Sequence, residues 1–253
     1  MSHKKLFPGE VINDLLRNGL SIIQSAELPK FNTDSILLAN FPKVKNGWKV
    51  CDLCTGTGII PLVLTSRARD LKISAVELNN LMHDMAKRSI ELNNLENQID
   101  VLHEDVRQTN LSKGTFDLVT VNPPYFTSGW GPISKEVARA QARSEVELTL
   151  QEVVHTGYCL LKEKGIFGIV YDSSGVADLL SILNSQKLSV TRIRYIHHNI
   201  NTKASSCLLE AQKGAKHRMV VERPLILYQE NGNFTPELQG LYYEGKSLES
   251  RAY

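Results

Sequence analysis

No stretch of the 253 residues approaches 18 uninterrupted apolar positions, and Met1 to Glu10 carry two lysines without an apolar core run. Neither a membrane-spanning helix nor a secretory leader is therefore expected, and the reading is a soluble, cytoplasmic chain. An excess of one charge is missing too: 29 Lys and Arg against 27 Asp and Glu leave a net +2. Overall charge thus gives no polyanion signal, and any nucleic-acid surface must come from local asymmetry. Cysteine is sparse. Cys51, Cys54, Cys159 and Cys207, without a leader, argue against a disulfide scaffold. Cys51 and Cys54 form a C-x-x-C, but no second pair completes a zinc site, and Cys51 sits in an apolar strand rather than at a helix start, where redox pairs lie. They read as structural thiols, and no metal is expected. Internal repeats and low-complexity segments are also lacking. With 42% hydrophobic residues the chain can bury a full core as one enlarged α/β domain.

What is present alternates. Apolar β-branched runs at 48–53, 72–77, 99–102, 116–121 and 166–171 alternate with helical stretches at 59–66, 80–91, 148–161 and 176–183. Lys164-Gly165 is read as the end of the 148–161 helix, and a strand is expected at 188–196. A last strand pair at 206–211 and 220–228 is expected to close the fold as a hairpin. The expectation is an α/β fold, doubly wound and Rossmann-like, with a mostly parallel seven-stranded sheet, an antiparallel edge hairpin and a small N-terminal cap. The divisions expected are a cap over 1–42, the main domain over 43–238 and a tail over 239–253. Within the cap, Asn18-Gly19 is a turn signal that allows a hairpin or a short helix and strand. Thr33 or Asp34 can N-cap a helix carrying Ile36, Leu37 and Leu38, or line a ligand pocket.

Two strand ends carry the chemistry. Trp48–Leu53 leads into Cys54-Thr55-Gly56-Thr57-Gly58 and a helix N-terminus, where backbone approaches a ligand closely. The dinucleotide fingerprint would need glycine or alanine where Pro61 stands, so a pyrophosphate-binding NAD enzyme is disfavoured. Glu77 ends the next strand, 19 residues past Gly58, about the spacing at which a carboxylate accepts both ribose hydroxyls. Asp105, just past the third strand, can accept an adenine amino group.

Phe116–Val121 ends in Asn122-Pro123-Pro124-Tyr125. Two prolines remove two N–H donors and stiffen the turn. The Asn122 amide oxygen and the Pro123 carbonyl are two acceptors for the hydrogens of a conjugated –NH2, and holding both favours the rehybridised nitrogen of a transition state over the flat ground state. Tyr125 offers a stacking face for a flipped base. Phe126 and, beyond the glycine-bearing loop Thr127–Pro132, Arg143 lie on the substrate side of a segment of the kind that closes over ligands.

The set Asp52-Leu-Cys-Thr-Gly-Thr-Gly58, Val76-Glu77, Asp105 and Asn122-Pro-Pro-Tyr125 resembles the class I S-adenosylmethionine-dependent methyltransferases, in their amino-methylating branch. Phe31-x-Thr33-Asp34-x-Ile-Leu-Leu38, Ala142-Arg143-Ser144-Glu145, Pro224–Tyr228 and Phe234-Thr-Pro-Glu237 are similar to the bacterial valine-tRNA adenine-N6 methyltransferases. The resemblance implies that Asp52, Thr55, Gly56 and Gly58 hold the methionine part of S-adenosylmethionine, Glu77 the ribose and Asp105 the adenine. Asn122 then lies between cofactor and target amine, in the catalytic group with Pro123, Pro124 and Tyr125. Cys54 stands where the family loop usually has its first glycine, and Ser144 where relatives often have histidine.

Between Lys187 and Arg223 eight Lys or Arg face two acids. A solvated edge is one reading. The other has Lys203, Lys213, Lys216 and Arg218 on tRNA phosphates, in a monomer or weak dimer with no membrane partner. The function expected is methylation of adenine N6 in tRNA, next to the anticodon of a valine tRNA. A glutamine amide in a translation factor or guanine N2 in rRNA remains the same-chemistry alternative, and a non-catalytic cofactor-binding RNA protein the alternative of another class.

Overall fold

The structure is a computed structural model that describes residues 6–26, 28, 32–123, 148–216 and 218–243. The chain opens with an antiparallel hairpin, β1 (Glu10–Asp14) and β2 (Ser21–Ser25), turning through Asn18-Gly19, followed by α1 (Thr33–Asn40). Next come β3 (Lys49–Leu53), α2 (Ile59–Thr65), β4 (Lys72–Glu77), α3 (Asn80–Leu92), β5 (Ile99–His103) and β6 (Phe116–Val121). After 148 follow α4 (Leu150–Leu160), β7 (Leu161–Asp172), α5 (Val176–Ser185), β8 (Leu188–His197) and β9 (Ala204–Lys213). The two-residue strands β10 (Val220–Val221) and β11 (Leu225–Ile226) and a last helix, α6 (Pro236–Tyr243), complete the described chain.

The main sheet runs β10-β8-β9-β7-β6-β3-β4-β5, with β11 also on β8. Only β9 is antiparallel to its neighbours. This is the doubly wound α/β fold expected, with its seven long strands and two short additions. The closing hairpin differs from the expectation: β9 pairs with β8 and inserts beside β7, while the 220–228 stretch supplies only β10 and β11, parallel to β8. Pro224 between them cannot donate to a ladder, which keeps each short and at the edge.

Period-two alternation splits the core. On one face Val50, Ile73, Leu118, Ile166 and Leu208 pack with α1, α2 and α6; on the other Cys51, Val76, Val119, Phe167 and Leu209 pack with α4 and α5. α4 starts at a capping box of Thr149 and Glu152 and ends at Leu160, earlier than the Lys164-Gly165 signal. That pair instead lies in β7, where Lys164 has φ +63° and the register against β6 shifts, so its left-handed turn makes a bulge.

The cap is continuous with the main core. Leu15, Leu20, Ile22, Ile36, Leu37, Leu38, Ala39 and Phe41 share one apolar cluster with the sheet, and Leu238 and Leu241 of α6 join it. Arg17, 4% exposed, donates to the Asn40 Oδ1 at 3.1 Å and to the Leu241 carbonyl, tying hairpin, α1 and α6 together. The expected boundary at residue 238 falls within α6.

Candidate active site

Strand order reverses between β3 and β6, and in such sheets ligands bind at the carboxyl ends of the strands flanking that reversal. Register brings the ends level, since Leu53 pairs with Val76 on one side and Val121 on the other. Asp52, fully buried, spans the reversal: its Oδ2 accepts from the Thr55 hydroxyl and its Oδ1 from the Thr120 hydroxyl, both at 2.6 Å. Burial pushes the carboxyl up to about 7, the two hydroxyls partly oppose this, and the Glu77 charge adds to it. Asp52 thus positions the turn from beneath.

The turn itself is left-handed three times, at Cys54 (φ +57°), Gly56 (φ +58°) and Gly58 (φ +86°). Cys54 therefore holds a left-handed backbone that glycine adopts freely, at a steric cost of about 1–2 kcal/mol. Burial pushes its thiol, and that of Cys51, well above the usual range. A Cβ on Gly56 would meet nothing within 4 Å, whereas one on Gly58 would touch the Ala86 Cβ of α3 at 3.4 Å. Gly56 thus leaves its backbone open on the ligand side, and Gly58 lets α3 close. Pro61 lies in the first turn of α2, whose amides need no intrahelical partner.

Glu77, 8% exposed, accepts from the Gly56 amide through Oε2 and from the Asn79 amide through Oε1, both at 2.8 Å. Burial raises its pKa and these amide hydrogen bonds oppose the rise. Asp105 caps a 3-10 turn at Val106–Gln108. It pairs with Arg107 at 2.5 Å, and that hydrogen bond holds its carboxyl below the usual range.

Asn122 sits at the end of β6 with its amide orientation set by α1. The N-cap of α1 is Asn32, not Thr33 or Asp34: its Oδ1 accepts from the Ser35 amide at 3.1 Å. An oxygen so fixed must meet a donor. The Asn122 Nδ2 accordingly donates to Asn32 Oδ1 at 3.3 Å and to the Ser35 hydroxyl at 2.8 Å. Its Oδ1 accepts from no described residue and is left as an acceptor. Asn32 and Ser35 escaped the sequence reading, although an Asn just ahead of an apolar helix is a capping signal. Thr33 instead accepts from the Tyr242 hydroxyl at 3.1 Å, and Asp34 from Ser206 at 3.4 Å. Pro124, Tyr125, Phe126 and Arg143 lie outside the described residues.

The basic cluster requires a correction. Lys213 ends β9 opposite Leu188, at the start of β8, and so lies at the end of the sheet away from Asn122. Its ammonium donates to the carbonyls of Tyr158 at 2.9 Å and Leu161 at 2.8 Å and sits 4.2 Å from the Tyr158 ring. It staples β9 to the end of α4 and is not a free phosphate contact. Lys216 and Arg218 are exposed but follow from that same end. Antiparallel β9 carries the chain away from the site, a direction that charge counting could not supply. Lys203, just before β9, is exposed at the site's own end.

The sequence profile of the methyltransferase small domain matches residues 31–174, more than half of the chain and all the residues above from Asn32 to Asn122. The chain belongs to this family. Its relatives include proteins named tRNA1(Val) (adenine(37)-N6)-methyltransferase from Dyadobacter fermentans and Haemophilus influenzae. The first is 25% identical over 80% of this chain and 84% of its own. The second is 26% identical over 85% and 90%. Among solved structures, a predicted O-methyltransferase of Agrobacterium tumefaciens superposes with a TM-score of 0.70 at 22% identity, covering 87% of this chain and all of that one. TYW2 of M. jannaschii, in complex with AdoMet, gives 0.55 at 16% identity over 82% and 87%. Both show the shared fold. The methyltransferase uses S-adenosylmethionine, and its residues suit that group: an open left-handed backbone at Gly56 beside the buried carboxylate of Glu77 provides acceptors for hydroxyl and ammonium hydrogens.

Proposed function

We propose that the chain methylates the exocyclic N6 amine of adenine in tRNA, at a position next to the anticodon of a valine tRNA. The observation that carries the reading is the Asn122 amide, whose nitrogen is committed to Ser35 and Asn32 while, among the described residues, its oxygen accepts from none at the switch point. The names of the relatives from Dyadobacter and Haemophilus support the choice of tRNA over a protein amide or rRNA.

S-adenosylmethionine supplies an electrophilic methyl group. The chain's own part is to present the nitrogen. Adenine N6 is a poor nucleophile because its lone pair is delocalised into the ring. Asn122 Oδ1 and the Pro123 carbonyl accept hydrogen bonds from the two amine hydrogens, so the nitrogen is held toward the pyramidal geometry in which its lone pair is free. Tyr125 and Phe126 stack the extruded base, and Arg143 meets its backbone. Glu77 holds the ribose of the cofactor and Asp105 its adenine, through the lone pairs that the internal hydrogen bonds leave over. No general base is required, since the nitrogen becomes acidic once methylated and releases its proton late.

The test is methyl transfer from labelled cofactor to transcribed tRNAs, followed by digestion and mass analysis of the nucleosides. Label in N6-methyladenosine from a valine tRNA is the expected result. Label in a protein amide or in guanosine, or no transfer to any tRNA, overturns it.

A further inference from the structure

An aromatic row runs along the site's end of the sheet. His198 lies 4.5 Å from Tyr228, Tyr228 5.4 Å from Phe234, Phe234 5.5 Å from Tyr242, and Tyr242 6.1 Å from Tyr243, all between ring centroids. The row reaches the active site. The Tyr242 hydroxyl donates to Thr33, the neighbour of Asn32, which in turn accepts from Asn122. Two of the row's rings, Phe234 and Tyr243, line an open cleft of about 430 Å³ together with Gln229, Gly232, Asn233 and Gln239.

The lining of this cleft has a definite chemical character. It carries no formal charge, two aromatic rings and three side-chain amides. Gln229 spends its Nε2 on the Phe234 carbonyl at 2.8 Å, which fixes the amide and leaves its oxygen as an acceptor. The side-chain amides of Asn233 and Gln239 bond to no other described residue, so each offers a donor and an acceptor. Gly232, at φ +80°, makes the turn that brings Asn233 and Phe234 back beside Gln229: its N–H donates to the Gln229 carbonyl at 3.0 Å, and the Gln229 N–H donates to the Asn233 carbonyl at 2.8 Å. A flat, uncharged ring edged with donors and acceptors is the ligand that stacking faces and amides recognise together, and that is a nucleobase.

We propose that this cleft is a second nucleotide subsite, which holds an unpaired base of the RNA substrate flanking the one presented to Asn122. The proposal rests on the reading of RNA as substrate, and it adds where context is read. The subsite lets the enzyme select the loop around its target, because Asn122 and Pro123 recognise only the amine.

The test uses a short unpaired oligoribonucleotide and fluorescence anisotropy, with Tyr243→Ala, Tyr243→Phe and Gln239→Ala. Tyr243 is 46% exposed and Gln239 is exposed, and unchanged S-adenosylmethionine affinity by calorimetry will show that each variant is folded. Tyr243→Ala should weaken oligonucleotide binding about 10-fold or more, the loss of one stacked base, while Tyr243→Phe keeps it. Gln239→Ala should flatten the preference among homopolymers. In transfer to tRNA, Tyr243→Ala should raise KM at unchanged kcat. A wild-type protein that binds no oligonucleotide, or a Tyr243→Ala variant that binds like wild type, overturns the subsite. Cleft-dependent binding without methyl transfer to any tRNA would instead remove the tRNA reading and leave the subsite standing.

Discussion

Ser35 and Asn32 hold the nitrogen of the Asn122 amide, and among the described residues its oxygen is left as an acceptor. Removing the whole side chain and loosening its anchor should therefore differ in degree. Asn122→Ala should lower single-turnover transfer about 10²–10³-fold with cofactor affinity unchanged, as for one lost preorganised partner. Ser35→Ala removes the 2.8 Å hydrogen bond but leaves the oxygen, so transfer should fall only about 2- to 10-fold, the worth of one net hydrogen bond. A wild-type rate in Asn122→Ala would refute the amine-acceptor mechanism. A wild-type rate in Ser35→Ala alone would confine the anchoring to Asn32.

At the level of elements, the site stands on close approaches between helix and sheet. α4 faces β7 across Gly157, where an added Cβ would lie 2.3 Å from the Phe167 ring. Helix propensity alone says that alanine should gain about 1 kcal/mol there. Packing decides otherwise, since overfilling a tight core costs about 1–3 kcal/mol and the Phe167 ring that an added Cβ would meet is fully buried. Gly157→Ala should thus lower stability to urea by a net amount of up to about 2 kcal/mol. An increase would mean that Phe167 repacks freely. The glycine-rich turn and α3 show the same logic, with Gly58 against Ala86.

For the molecule as a whole, the buried carboxylates set a pH dependence. Asp52 is pushed up to about 7 by burial, and burial also raises Glu77 and Asp34. A carboxyl with a folded pKa above its unfolded value keeps a proton that the unfolded chain has lost. Its contribution is full below about pH 4 and is lost as pH rises through about 7. Glu10 and Asp105, held low by Arg88 and Arg107, act in the opposite sense, with stability lost as pH falls below about 4. Between pH 5 and 8 the raised groups decide. The ligand-free protein should lose a few kcal/mol, in order of magnitude, across that window, and Asp52→Asn should flatten the loss. Urea unfolding at several pH values measures it, and an unchanged slope in Asp52→Asn would move the effect to Glu77 and Asp34.

The sequence by itself determined the alternating strands and helices, the mostly parallel sheet, the glycine-rich turn after β3, and Glu77 and Asn122 at strand ends. These follow from local rules: β-branched runs, punctuation by glycine and proline, and counted spacings. It also put Pro61 in the first turn of α2, where a missing N–H costs nothing. Tertiary structure alone decided which strand closes the sheet, because the pairing of β9 with β7 and β8 is a contest between distant segments that no local pattern scores. It decided the fate of the lysines as well. Lys213 reads as a free charge in sequence, yet the direction of β9 carries it to the far end and two carbonyls bind it. The orientation of the Asn122 amide was equally out of reach, since it depends on a hydrogen-bond chain through Asn32 and Ser35, some 90 residues away along the chain.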